Sequence, residues 1–175
     1  MTLDALFRPR AVAIVGASGD ANKVGGRPLA FLLKAGFRGA IYPVNPGAAQ
    51  VQGVPAFVSL DAVPGPVDQV IVALPASQVA AVVEQCIARG VQALQLFTAG
   101  TGLDPATLAR ARSAGLRVLG PNSLGLFNTA DAFFGTFATA LDGAWPQPGG
   151  IGVATQSGAF GSYFFGLAQA RGLGF

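Results

Sequence analysis

Short apolar runs that alternate with helix-length segments constrain this chain more than any other feature. Each run is rich in Val, Ile, Leu and Ala and stops at a glycine, a proline or a polar turn. Continuous apolar runs of this length are typical of strands that are buried on both faces of a parallel sheet. Five strands are predicted on this basis, at residues 11–15, 40–44, 68–74, 91–97 and 116–119.

Three of the intervening segments have helical features. Helices are predicted at residues 27–35, 75–89 and 105–114, each closed by a following glycine. Strands joined by helices of this length favour right-handed parallel crossovers. The predicted fold is therefore α/β, with a Rossmann-like, doubly wound, mainly parallel sheet that binds ligands at the carboxyl ends of its strands.

The chain is less regular after the fifth strand. Residues 1–128 are predicted to form the sheet domain, and residues 129–150, which end in a proline- and glycine-rich stretch, a linker. A strand at 151–154 and a helix at 157–171 follow. One strand and one helix do not make a core, so we interpret residues 151–175 as the truncated start of a second α/β domain.

Charged residues make up 11% of the chain and hydrophobic residues 51%. An ordinary soluble domain carries roughly 25% charged residues, so part of this surface is expected to be covered by more protein. The net charge of +3 comes without a basic run, which argues against nucleic-acid binding. No apolar run approaches the roughly 18 residues of a membrane helix, and no membrane association is expected.

The chain contains no histidine and one cysteine, Cys86. These counts exclude a Ser-His-Asp triad, an imidazole metal ligand and a thiolate zinc site, so we predict no metal site and no catalytic residue. A cytoplasmic location is expected because no internal disulfide is possible. Cys86 is predicted to be a buried, inert thiol, and the pairs Phe133-Phe134 and Phe164-Phe165 core or interface residues.

A glycine-rich turn follows the first strand. Its members Gly16, Ala17, Ser18 and Gly19 allow backbone N–H groups to approach a phosphate, although a tight structural turn is the alternative. The pattern is not G-x-G-x-x-G, because the next glycine pair comes late. Cationic side chains flank the turn and either reach a phosphate or mark a solvated helix start. These side chains are Lys23 and Arg27.

Two further segments carry information about ligands. An NAD-binding domain usually has an acidic residue near the end of its second strand, where this chain has residues 43–46 (PVNP), so NAD is disfavoured. The turn at 155–158 precedes the last predicted helix. Ser157 is expected to cap that helix, and the free N–H groups near Ser157 and Gly158 are candidate phosphate donors.

Six segments, taken in order, resemble the N-terminal part of NDP-forming acyl-CoA synthetases, which are relatives of the succinyl-CoA synthetase alpha subunit. The segments are VAIVGAS (12–18), KVGGRPLAFLLKAGFRGAIYPVNP (23–46), VDQVIVALPA (67–76), GVQALQLFTAG (90–100), GLRVLGPNSLGLFN (115–128) and GGIGVATQSGAFG (149–161). The likeness covers nearly the whole chain.

The resemblance implies a coenzyme A site at the carboxyl edge of the sheet. It assigns the CoA phosphates to the Gly16–Gly19 turn, the reacting thiol end to Pro121 and Asn122, and a phosphohistidine contact to the helix start at Ser157 and Gly158. The family's phosphate-binding lysine after Pro46 is replaced here by glycine and alanine, so its contact is expected to move to Lys23 or Arg27. The implied lining of the nucleotide and pantetheine path is Pro43, Val44, Asn45, Pro46, Leu74, Pro75, Phe97 and Thr98.

The family forms acyl-CoA and NDP from acid, CoA and NTP, or the reverse, through an acyl phosphate and a phosphohistidine. The histidine and an ATP-grasp domain or subunit, which would hold ATP or ADP and Mg, are absent here, so this chain is expected to bind CoA without turnover, in a homo- or hetero-oligomer. Two alternatives stay open: an NAD(P)-binding oxidoreductase or redox sensor, and a stand-alone, non-enzymatic CoA-binding protein.

Overall fold

The computed structural model describes residues 3–175 of the chain. The strands are β1 (Ala11–Val15), β2 (Ala40–Val44), β3 (Gln50–Val51), β4 (Val54–Pro55), β5 (Gln69–Val72), β6 (Ala93–Leu96), β7 (Arg117–Leu119), β8 (Gly125–Asn128) and β9 (Phe133–Thr136). The α-helices are α1 (Asp4–Phe7), α2 (Arg27–Ala35), α3 (Ala76–Ala88), α4 (Pro105–Ser113), α5 (Ala140–Gly143) and α6 (Gly158–Gln169). A 3₁₀ turn spans Leu60–Ala62.

The central sheet has five strands in the order β2-β1-β5-β6-β7, and all of its pairs are parallel. The chain runs from β1 outward to β2 and then crosses to the other side of β1 to form β5. The strand order therefore reverses between β1 and β5, which creates a crevice at their carboxyl ends. The predicted doubly wound α/β fold is confirmed.

The two faces of this sheet bury different partners. Ala13 and Val15 of β1 pack in the cluster that holds the buried side of α3, whereas Val12 and Ile14 pack with Leu29 and Leu32 of α2 and with Phe133 of the β8–β9 hairpin. Strand residues alternate between faces, so an apolar strand buried on both sides needs such cover on each.

A third hydrophobic cluster, which is mainly aromatic, is formed between α2, the hairpin, α5 and α6. It joins Phe31 of α2, Phe134 of β9, Leu141 of α5 and Phe165 of α6. Trp145 contacts this cluster, since its ring stacks on Phe134 with centroids 4.5 Å apart. The predicted core role of the phenylalanine pairs is confirmed for the three buried members, Phe133, Phe134 and Phe165.

The segment interpreted as a linker contains β9 and α5. The hairpin formed by β8 and β9 crosses the proposed boundary at residues 128 and 129, and all four residues of β9 are buried. The division of the chain into domains stays a prediction. The structure adds that residues 133–141 pack on the sheet domain.

The predicted strand at residues 151–154 is wrong. These residues form no ladder, and three of the four are exposed. A strand needs a neighbour for its backbone N–H and C=O groups, and the described chain lays none beside this segment. The following helix is confirmed as α6, and the hydroxyl of Ser157 accepts from the N–H of Phe160 at its start. Within residues 3–175, no helix combines the length and apolarity needed to cross a membrane.

Candidate functional site

A groove of about 630 Å³ opens at the crevice between β1 and β5. Its floor is the carboxyl ends of β1, β2 and β5, and its walls are α3 and the segment around the 3₁₀ turn. This is the position at which doubly wound sheets bind their ligands. The predicted site residues that line it are Gly16, Ala17, Val44, Asn45, Pro46 and Leu74.

The turn after β1 spans residues 16–26 and is closed so tightly that it demands glycine. Gly16 has φ +87°, and a Cβ there would lie 2.5 Å from the carbonyl oxygen of Ala73. A Cβ on Gly25 would lie 2.1 Å from the Gly16 oxygen, and one on Gly26 would lie 1.9 Å from the Asp20 oxygen. The late glycine pair therefore lets the turn fold back on itself, which a bulkier residue at either position would prevent.

Three of the four amides of residues 16–19, the first part of this turn, already donate inside the protein. The N–H groups of Gly16 and Ala17 point to the carbonyl of Val44, and that of Ser18 points to the carbonyl of Gly25. Gly19 is exposed, and open space surrounds the position of its missing Cβ. Gly19 is consequently the member of the turn that offers the least obstructed approach to a ligand.

Gln52 fixes the inner side of the turn. It lies in the tight turn between β3 and β4, and its side-chain NH₂ group donates to the carbonyls of Ser18 and Gly26, both at 2.9 Å. This one side chain ties the first and last parts of the turn together. Sequence reasoning missed Gln52, because nothing in the local pattern indicates that a residue so far along the chain reaches the turn.

Asn45 occupies the place where an NAD-binding domain would have its acid. Its side-chain NH₂ group donates to the Ala17 carbonyl at 2.9 Å, and its side-chain oxygen accepts from the Gly47 N–H at 2.8 Å. No acidic residue is present among the described residues that line the groove. A carboxylate that would hold ribose hydroxyls is thus missing from this site.

The remaining edge loops form a hydrogen-bonded row beside the groove. The hydroxyl of Thr98 donates to the Leu74 carbonyl at 2.5 Å, and the N–H of Asn122 donates to the Thr98 carbonyl at 3.0 Å. The loops after β5, β6 and β7 are thereby held together. Pro121 is exposed at the far end of this row, away from the groove lining.

Two residues predicted to line the nucleotide and pantetheine path are buried in the structure. The Phe97 side chain is buried and packs against Phe137, with ring centroids 4.8 Å apart. Pro43 is buried in β2 beside Ile14 of β1. Pro75 is exposed at the start of α3, next to the groove lining. A direct ligand contact for these three residues stays a prediction.

The groove walls contain polar residues that sequence reasoning did not select. Ser77, Gln78 and Gln85 face the groove from α3, and Ser59 faces it from the opposite wall, where Val58 is 66% exposed. Gln78 and Gln85 are seven residues apart, which helical spacing places on the same side of α3. This spacing is the signal in the sequence that could have identified the two residues as part of one wall.

Arg89 secures the wall that contains the 3₁₀ turn. It follows the last turn of α3, and its guanidinium donates to the carbonyls of Asp61, Val63 and Gly65 at 3.0–3.3 Å. The side-chain NH₂ group of Gln85 also contacts Asp61, at 3.4 Å. The two walls of the groove are consequently joined to each other.

The cations expected to contact phosphate have different surroundings. Lys23 is exposed in the turn. The guanidinium of Arg27 is paired with the carboxylate of Asp142, at 2.7 Å and 2.9 Å, and its side chain is 12% exposed. A phosphate contact through Arg27 would have to replace this pair.

The start of α6 lies beside the edge loops. A Cβ at Gly158 would be 2.7 Å from a methyl carbon of Leu124, which follows Ser123 in the loop after β7. Ser157 and Gly158 are thus close in space to the Asn122 loop, although they are 35 residues or more away in sequence. Their role in phosphate binding stays a prediction.

Cys86 lies in α3 away from the groove lining and is fully buried. Desolvation raises the pKa of its thiol to about 12, and the nearby Arg89 charge lowers that pKa by a smaller amount. A thiol with this pKa is protonated at neutral pH and is a poor nucleophile. The predicted burial of Cys86 is confirmed, and its low reactivity stays a prediction.

The sheet order and the groove at its switch point define an α/β domain of the nucleotide-binding, doubly wound class. The family model described as "CoA binding domain" matches residues 10–129, and the chain belongs to this family.

The curated relatives of the chain include ADP-forming acetate–CoA ligases. It is 34% identical to the ADP-forming acetate–CoA ligase I of Archaeoglobus fulgidus and 32% identical to the alpha subunit of the ADP-forming acetate–CoA ligase I of Pyrococcus furiosus, in each case over 99% of this chain. It covers 26% and 39% of the length of those two proteins.

The fold agrees with a solved structure of the same class. The apo form of the dinucleotide-forming acetyl-coenzyme A synthetase 1 of Ca. Korarchaeum cryptofilum superposes with a TM-score of 0.89 at 33% identity, over 99% of this chain and 38% of that one. The resemblance inferred from the six sequence segments is confirmed. The chain corresponds to the CoA-binding part of NDP-forming acyl-CoA synthetases.

Proposed function

We propose that this chain binds coenzyme A in the groove between β1, β2, β5 and α3. The observation that carries the proposal is the coincidence of a family match over residues 10–129 with a groove at the topological switch point. The volume of about 630 Å³ lies in the range of small-molecule and cofactor sites, which is roughly 300–1,000 Å³.

The groove and the turn divide the ligand between them in this proposal. The neutral walls, with Val58, Ala81 and the polar ends of Gln78 and Gln85, suit the uncharged nucleoside and pantetheine portions of CoA. The phosphates lie at the open side of the turn, next to Gly19 and within range of the exposed Lys23. The row formed by Leu74, Thr98 and Asn122 carries the pantetheine arm away from the groove.

The whole protein, on this proposal, is an NDP-forming acyl-CoA synthetase. It interconverts acyl-CoA, NDP and phosphate with acid, CoA and NTP, through an acyl phosphate and a phosphohistidine carried by other parts of the protein or by a partner subunit. An ATP-grasp domain or subunit passes the phosphate to NDP. This chain has no histidine, so its contribution is to hold CoA.

A groove-filling substitution tests the location of the site. Ala81 lines the groove, and its neighbour Ala80 is exposed on another side of the same helix. Calorimetry should show that A81W weakens CoA binding by about tenfold or more, whereas A80W binds within about twofold of the wild type, because only the first places an indole in the ligand's space.

The outcome is decisive in either direction. CoA heat that is equal in A81W and the wild type would place the ligand elsewhere, and no heat from the wild type at millimolar CoA would remove the proposal. A parallel titration with NADH should give no blue shift in nicotinamide emission, because the carboxylate for the ribose is missing.

A further inference from the structure

Arg27 bridges the turn and a distant helix. It is the first residue of α2, and one terminal nitrogen of its guanidinium contacts both carboxylate oxygens of Asp142 in α5, at 2.7 Å and 2.9 Å. Its Nε donates to the carbonyl of Asn22 in the turn at 3.3 Å. Arg27 thus connects Asp142, which is 115 positions further along the chain, with the outer half of the turn.

The guanidinium is enclosed as well as bonded. The Arg27 side chain is 12% exposed, and its guanidinium carbon lies 5.9 Å from the ring centroid of Phe31, one turn further along α2. Phe31 in turn packs edge-on against Trp145, with centroids 5.8 Å apart. An arginine bonded to a carboxylate and a carbonyl and packed over a ring loses several favourable contacts if it swings outward.

We propose that Asp142 is a positioning residue for CoA binding: it holds Arg27 against the Asn22 carbonyl, so that Arg27 stabilises the outer half of the turn and does not contact the phosphates. This inference rests on the proposed function. It differs from the expectation drawn from the sequence, in which Lys23 or Arg27 takes over the family's phosphate contact. The direct cationic contact then belongs to Lys23, which is exposed in the same turn.

The turn needs support on this outer side. Gln52 fixes its inner side by donating to Ser18 and Gly26. Residues 19–24 are exposed, and Asn22 lies at the centre of this stretch. The N–H groups of Gly26 and Arg27 donate to the Lys23 carbonyl, and the contact from the Arg27 side chain to Asn22 adds a further bond between this stretch and the packed start of α2. Loss of Asp142 would leave this contact without its anchor.

The variant D142N separates the two roles of Arg27. If Arg27 acts by supporting the turn, D142N weakens CoA binding by roughly three- to tenfold, as expected for loss of a partly exposed, charge-assisted contact. If Arg27 binds phosphate directly, D142N removes the competing negative charge from the guanidinium, and CoA binds as tightly as to the wild type or more tightly. The measurement is calorimetric titration of the full chain with CoA.

A matched control exists in the same chain. Asp131 forms an ion pair with Arg8 at 3.2 Å, and its side chain is 42% exposed, close to the 50% of Asp142. D131N removes a similar surface pair far from the turn and should leave CoA affinity within about twofold of the wild type. Equal weakening in both variants would overturn the proposal, because it would mean a general effect of charge.

A second variant keeps the test valid if D142N does not fold. R27K retains a positive charge but loses the planar, forked geometry that contacts Asp142 and Asn22 together. The positioning role predicts weaker CoA binding by R27K, and a direct charge contact predicts retained binding. Thermal unfolding establishes that each variant is folded. Failure of the wild type itself to bind CoA would refute the proposed function rather than this inference.

Discussion

Gly25→Ala provides a sharp test of how the turn after β1 is built. The new Cβ would lie 2.1 Å from the carbonyl oxygen of Gly16, far inside the 3.4 Å at which ordinary contact begins. Gly16 cannot move away easily, because the Ala73 carbonyl oxygen lies only 2.5 Å from the position that a Cβ on Gly16 would take. The backbone must therefore shift at the floor of the groove.

The expected decrease in the free energy of unfolding follows from this overlap. Forcing a methyl group into a packed site costs typically 1–3 kcal/mol, and we expect the upper part of that range, about 2–3 kcal/mol, since the obstructing atoms are backbone. A domain of this size loses roughly 2–4 °C in Tm per kcal/mol, which gives a decrease of about 4–12 °C. Differential scanning calorimetry measures the change, and CoA affinity should decrease with it.

Gly19→Ala is the matched control. Gly19 belongs to the same turn, but no atom lies within 4 Å of its missing Cβ. Its Tm should stay within about 2 °C of the wild type, as for an unobstructed surface substitution. The reasoning would be refuted if Gly25→Ala unfolded at the wild-type temperature, or if Gly19→Ala lost as much stability.

Two further predictions concern titrating groups. Cys86 should resist a thiol reagent at pH 8 until urea unfolds the chain. Stability should decrease as the pH rises from about 9 towards 12, because the folded thiol, with its pKa of about 12, keeps a proton that the unfolded thiol releases. Unfolding curves that match those of C86A across this pH range would contradict this prediction. Bonds from the N–H and hydroxyl of Thr107 lower the pKa of Asp104, so its cap on α4 stabilises the fold above pH 3.8 and is lost as the pH falls through the lowered pKa. The difference in Tm between D104A and the wild type should therefore narrow between pH 7 and pH 2.5, and an unchanged difference would show that Asp104 acts by another route.

Sequence reasoning predicted the elements whose signals are local. The bounds of β1, β2 and α2 agree with prediction to the residue, because an apolar run or helical stripe ends at a glycine or a polar turn in each case. The same local signals located Gly16–Gly19 and Asn45 at the edge of the sheet.

Contacts between distant residues account for what the sequence did not reveal. The hairpin of β8 and β9 lies in a stretch without a two-residue Asn-Gly turn, and packing on α2 stabilises it. Gln52 contacts the turn from 26 and 34 residues away, and Asp142 contacts Arg27 from 115 residues away, so no periodicity or spacing rule detects them. The segment 151–154 has the composition of a strand, but residues 3–175 provide no neighbouring strand for it to pair with.

The absence of ionisable side chains from the described lining of the groove has a consequence for the chemistry of recognition. Its walls carry the same charge at every pH that the fold tolerates, so any proton linkage in CoA binding must originate outside these walls, for example in the ligand's own phosphates. A site of this kind discriminates by shape and neutral hydrogen bonding. Acidification therefore changes the charge of the CoA phosphates but not the charge of the groove walls.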